Sequence, residues 1–178
     1  SSISIFADPA SGLQPVVTPP IGSTAAFQLA NASVNVFGID IRPTVAVQYG
    51  VLASSAYVQI ASMTISSNNV VWGAGVSVTS WTTISYTSIS VQNATALHLD
   101  NSWRTNVSYS SAQSNTSGTF ALYLENSSSN TFNVFLASNA AGQAGQLSGS
   151  HYNTIDRSTF AANGNNWVAL SIDDSNWN

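Results

Sequence analysis

The sequence predicts an all-β solenoid of about six to seven coils, each of 23–25 residues, stacked along one axis. Three observations predict it. A small hydroxyl residue recurs at Ser55, Thr79, Ser102, Ser127, Ser150 and Ser175, at spacings of 24, 23, 25, 23 and 25 residues. Apolar residues keep step with these openers, as Ile60, Ile84, Val107, Phe132 and Ile155, and again as Ile65, Ile89, Ala112, Ala137 and Phe160. The segments between, such as "ALYLEN" and "VALSIDD", alternate with the period of two that marks strands, and Ser, Thr, Asn and Gly punctuate them.

One unit of this kind cannot bury its own apolar face, whereas stacked units bury a continuous one. At a strand spacing of about 4.8 Å per coil, about seven coils make a rod roughly 35 Å long. Residues one period apart then become neighbours.

The elements follow in chain order. Residues 1–22 open with "SSISIF", which alternates like a strand, and then hold Pro9, Pro15, Pro19 and Pro20. That pattern predicts an extended Pro-rich arm or cap, which an open solenoid end needs to cover its unpaired edge. Residues 23–178 form the solenoid domain, with "FQLANASVNVFGIDI" at 27–41 as a degenerate coil. From residue 50 two more columns are expected ahead of the openers. One is Leu52, Val76, Leu99, Leu124, Leu147 and Ile172; the other is Gly50, Ala74, Leu97, Leu122, Gly145 and Leu170. An Asn closes each unit at Asn68, Asn93, Asn115, Asn139 and Asn163. Asn130, Asn153 and Asn178 make a further ladder at a bend, where turn asparagines bond to backbone and to one another. The chain stops inside a turn motif at Asn178, so either more chain or another subunit is expected over that edge.

The stretches "NSSSNTF…SN" and "SGSHYNTIDRSTFAANG" resemble the "S-x-x-NT-I…N" repeats of right-handed parallel β-helix proteins, the pectin-lyase-like and NosD-like class. The resemblance covers residues 97–178 and continues more faintly over 50–96. It implies a single-stranded right-handed parallel β-helix. Its functional implication is broad, since the class includes polysaccharide lyases and hydrolases, phage tailspikes, adhesins and surface structural proteins.

Composition narrows the partners. Only 6% of residues are charged, against roughly 25% in an average protein. There is no lysine, and Arg42, Arg104 and Arg157 are the only arginines. A net charge of −4 with three cations cannot build a phosphate-binding face, so nucleic acid is not an expected partner. No apolar run is long enough to span a membrane, and zero cysteines exclude disulfides and thiolate metal sites. A surface of uncharged Ser, Thr and Asn points outside the cell, to a cell or virion surface. Sequons at Asn31, Asn93, Asn106, Asn115 and Asn126 are glycosylation candidates, at about the number chance predicts for so Asn- and Ser-rich a chain.

Two sets of residues are candidates for function. Asp100, Glu125 and Asp173 share one column, and Asp100 and Glu125 fall in consecutive coils with backbones about 5 Å apart. Paired-carboxylate glycosidases use that range. The plainer reading is a solvated row at a strand end, or a weak calcium site. Pectate lyases of the resembled class rely on clustered aspartates, calcium and basic residues acting on an acidic sugar. Here Arg104 is the nearest basic residue, and Asp100 with His98 loosely fits the pattern of polygalacturonase-like enzymes.

The second set lies two positions after each opener: Tyr57, Trp81, Arg104, Ser129, Tyr152 and Trp177. Aromatic rows of this kind grip sugar rings; they also stack simply because stacking stabilises a solenoid, with Arg104 as a cation–π cap. Tyr86 and Tyr109 form a shorter second row, with Arg157 in the same column. His98 and His151 fall in different columns and make a poor metal pair. The expected function is an extracellular structural solenoid, a filament, adhesin or virion-fibre subunit associating with copies of itself or other surface proteins and able to stack head to tail. A glycan-binding module and a polysaccharide lyase or hydrolase are the alternatives.

Overall fold

In the computed structural model, which describes residues 2–7, 15–68 and 70–178, the chain is all-β. Among the described residues nineteen strands form a seven-stranded and a twelve-stranded sheet in which every pairing is parallel. Each coil contributes one strand to the first sheet and then two short segments, or one bent strand, to the second. Thr95–Asp100 followed by Asn106–Ser114 shows the pattern, with Tyr109 at the bend. Seven coils result, as the repeat predicts. No helix among the described residues is long and apolar enough to cross a membrane.

The columns behind the openers stand as read from the sequence. Val36, Ile60, Ile84, Val107, Phe132 and Ile155 pair in register, as do Ile41, Ile65, Ile89, Ala112, Ala137 and Phe160. Both rows point inward, and their central members are fully buried. At about 25 cal/mol per Å² of apolar surface, the stacked Ile, Val, Leu and Phe side chains supply the main drive to fold.

The two columns ahead of the openers differ from expectation in the early coils. Val76 pairs with Val51 and Leu97, while Leu99 pairs with Val78 and, through it, Ala53. Leu52 lies opposite Ser77 on the outer face, and Ala74 lies opposite Tyr49. The cause is the corner between the sheets, whose length varies. Later coils insert an acid–Asn pair there, Asp100–Asn101 and Glu125–Asn126, which the coil ending at Val78 lacks. Counting backwards from the openers therefore slips the register of that sheet.

The N-terminal segment joins the stack where it is described. Ile3–Phe6 pairs with Val34–Phe37, and Val16–Val17 pairs with Asp40–Ile41. Pro9 lies outside the described residues.

Space in the core is shared between sheets. A Cβ at Gly145 would lie 2.6 Å from the Phe160 ring, so the glycine makes room for that ring. Gly75 likewise yields to Ile89 Cγ2, 2.8 Å from where its Cβ would stand, and Gly50 to Ile65 Cγ2 at 3.0 Å. Each pair joins the two sheets within one coil.

Candidate functional site: an aromatic corner

The corner leading into the twelve-stranded sheet repeats in every coil and is braced from within. Ser102 N–H donates to Ser127 Oγ at 2.9 Å, Ser127 N–H to Ser150 Oγ at 2.9 Å, and Ser150 N–H to Ser175 Oγ at 2.8 Å. Three residues on, Thr105 N–H donates to Asn130 Oδ1 at 2.8 Å, Asn130 N–H to Asn153 Oδ1 at 3.0 Å, and Asn153 N–H to Asn178 Oδ1 at 2.8 Å. The same asparagines donate through Nδ2 to the carbonyls of Ser102, Ser127 and Ser150. Ser102, Ser127, Asn130 and Ser150 are fully buried. Buried polar groups must be paired, so this double ladder fixes the corner's backbone.

Between the two inner ladders the chain makes its outward turn. Ser33, Tyr57, Trp81, Arg104, Ser129, Tyr152 and Trp177 stand in one column with φ of 60°, 59°, 59°, 54°, 59°, 56° and 60°. Every member of the column is left-handed. The turn aims N–H groups of the column along the rod: Trp81 donates to the Trp103 carbonyl at 2.7 Å, Ser129 to His151 at 3.0 Å and Tyr152 to Asn176 at 3.0 Å. This conformation costs a non-glycine residue about 1–2 kcal/mol. Glycine and asparagine are the residues that usually adopt it. Here bulky side chains do, and they point to solvent, with Tyr57 58%, Tyr152 61% and Trp177 80% exposed.

The sequence-predicted row is thus brought together. Tyr57 and Trp81 have ring centroids 5.5 Å apart, and the Arg104 guanidinium sits 4.6 Å above the Trp81 ring. Ser129 leaves a gap before Tyr152, which has no ring partner among the described residues. Trp103, one residue before Arg104, is 61% exposed beside the row. The second corner repeats the theme more briefly: Tyr86 and Tyr109 stack at 5.1 Å and 5°, both left-handed. Arg157, in the same column, bonds to Asp156 and Asn133.

The carboxylate column is also in register. Asp100 pairs with Glu125, Glu125 with Ser148, and Ser148 with Asp173. Their side chains have separate partners. Asp100 accepts from Asn101 Nδ2 at 2.6 Å. Glu125 Oε2 lies 3.4 Å from His98 Nε2 without hydrogen-bond geometry. Asp173 accepts from Gln146 Nε2 at 2.8 Å and Ser171 Oγ at 2.9 Å, and these two bonds hold its carboxyl below the usual range. His98 stacks on Tyr123 at 5.1 Å, and burial with the nearby Glu125 pushes the Tyr123 hydroxyl up. Among the described residues no three His, Asp or Glu side chains converge as a metal site. His151 sits apart, its Nδ1 accepting the Asn176 N–H at 2.9 Å.

All five sequon asparagines are exposed. Two features escaped the sequence reading. The approach of His98 to Glu125 is a diagonal side-chain contact across strands whose register follows from the repeat, and it depends on side-chain conformation; the left-handed torsions have no signal in Tyr, Trp or Arg. Comparison with protein families, curated proteins and solved structures finds no match. The chain is thus defined by what it shows: a parallel β-solenoid with an outward aromatic corner.

Proposed function

We propose that this chain is a structural β-solenoid of an extracellular surface, a rigid rod of filament, adhesin or virion-fibre type. The observation that carries this reading is the double ladder inside the corner. From Ser102 to Asn178 each coil's Ser and Asn side chains close backbone N–H groups of the coil before it, so these coils are bonded along the axis by side chains as well as by strands. Such a rod holds its shape under load. The charge-poor, Ser- and Asn-rich exterior and the exposed sequons support a place outside the cell.

End-to-end growth belongs to the same reading. Leu170–Asp173 is an edge strand, Ile172 is 49% exposed, and Ile155, Phe160 and Leu170 are only partly covered. A further coil, from the same chain or a second copy, would bury them. Negative-stain images of the full native chain are expected to show rods that lengthen with concentration. Discrete particles of constant mass at every concentration would remove polymerisation from the proposal.

A polysaccharide hydrolase or lyase is the second reading, favoured by His98 beside Glu125 with Asp100 in register. It requires turnover of some polysaccharide that the Asp100→Ala, Glu125→Ala double variant loses; equal turnover by that variant dismisses it.

A further inference from the structure

The aromatic corner is out of keeping with a purely structural rod. Gly and Asn meet a left-handed backbone at least cost, yet this column carries the bulky Tyr57, Trp81, Arg104, Tyr152 and Trp177. Stacking does not account for all of them. Tyr57 and Trp81 have each other, but Tyr152 is exposed and has no ring partner among the described residues. Strain retained at exposed, unpartnered side chains points to something outside the chain.

Chemistry narrows what that is. Successive positions step by one coil, about 4.8 Å, close to the length of one sugar ring. The apolar C–H face of a pyranose lies well against the electron-rich face of Trp or Tyr. Charge narrows it further. Arg42 faces Asp40 and Arg157 faces Asp156, whereas Arg104 has no carboxylate partner among the described residues. Its guanidinium lies over Trp81, and a guanidinium stacked by its face keeps its N–H fork free at the edge. That fork fits a carboxylate through two parallel bonds. The next position, Ser129, is small and leaves an open notch between Arg104 and Tyr152, with exposed Trp103 alongside.

We propose that the corner row Tyr57–Trp81–Arg104–Ser129–Tyr152–Trp177 is a binding site for an extended acidic polysaccharide. The chain lies along the rod with sugar faces on the aromatic rings, and a carboxylate sits in the Ser129 notch on Arg104. The Asp100 carboxylate, four residues earlier in the same corner, is occupied by Asn101.

The test uses a matched pair of polymers, carboxymethylcellulose and its neutral counterpart hydroxyethylcellulose, in affinity gel electrophoresis with tryptophan fluorescence as a second readout. The wild-type chain is expected to bind the carboxylated polymer more tightly. Arg104→Gln should weaken that binding about tenfold, the loss expected for a charge-assisted bond, and abolish the preference. Trp81→Gly and Tyr152→Gly should weaken binding of both polymers. Tyr152→Gly should also leave the melting temperature unchanged or higher, because glycine relieves the strained backbone.

Three outcomes overturn the proposal. One is no retention of wild-type protein by either polymer, by alginate or by hyaluronate. Another is a set of variants that bind like wild type. The third is a Tyr152→Gly variant that melts lower with binding intact, which would make the ring a packing element. None of these results bears on end-to-end assembly, which is read separately by microscopy.

Discussion

Two columns of left-handed residues run down the same corner, and they are built from opposite materials. Asn101, Asn126, Gly149 and Asp174 have φ of 48°, 48°, 56° and 48°. Three positions further along each coil stand Arg104, Ser129, Tyr152 and Trp177 with nearly the same torsion. The first column has the residues its backbone prefers, since Asn, Asp and Gly tolerate this region. The second does not. The contrast separates what the fold asks for from what the surface adds. A backbone requirement alone yields the Asn–Gly column; the aromatic column satisfies the same requirement at a cost and must have another use.

The sharpest way to break the comparison is to remove what forces the torsion. Asn130→Ala leaves the buried Thr105 N–H without an acceptor and takes a donor from Asn153 Oδ1. It is expected to destabilise by about 2–3 kcal/mol in denaturant unfolding. A loss below half of that would mean the ladder follows the turn and does not impose it.

Next comes the ordinary column. Gly149→Ala adds a Cβ at φ +56° that would sit 2.9 Å from Asn126 Oδ1. A loss of about 1–2 kcal/mol is expected, most of it backbone strain because the Asn126 side chain can swing aside. Unchanged stability would show that this corner charges little for the left-handed state, and the contrast between the columns would lose its force.

The reverse substitution in the other column is expected to have a smaller effect of opposite sign. Tyr152→Gly relieves strain while adding freedom to the unfolded chain, for a net gain of about 0.5–1 kcal/mol by thermal unfolding. Opposite signs at Gly149 and Tyr152 would establish the comparison on energetic grounds.

The smallest effect lies on the flat face beside the corner. Burial and Glu125 raise the Tyr123 hydroxyl, so the folded chain holds that proton after the unfolded chain has released it. Stability therefore falls as pH rises through the alkaline range above about 10. Ultraviolet titration should show a late step as Tyr123 ionises above the usual tyrosine range. Tyr123→Phe should remove the late step and leave both corner columns untouched.

Much of the architecture was legible because the period is strict where it matters most. Ser102, Ser127, Ser150 and Ser175 keep their spacing to Phe132, Ile155 and their neighbours, so the second sheet and the Asn ladder follow by counting. The first sheet was only partly legible. Its strands sit on the far side of a corner that admits Asp100–Asn101 in one coil and omits them in another, and Leu52 and Val76 were read in the wrong rows for that reason. The candidate site was legible as a row of side chains but not as strained backbone. Tyr and Trp announce strands and interfaces, never a positive φ. The meeting of His98 with Glu125 is a diagonal contact in a stretch where the counted register holds; it needed side-chain conformations, which a repeat does not supply.

The paired Gly145 and Phe160, like Gly75 with Ile89 and Gly50 with Ile65, carry one more consequence. Each large residue fits a hollow in the facing strand of its own coil. The coils look like copies, yet their halves are not interchangeable parts: replacing Gln143–Ser148 by the matching strand Phe120–Glu125 would put Leu122 where Gly145 stands and close the space that the Phe160 ring fills. Every storey carries its own lock and key, written in side-chain volume.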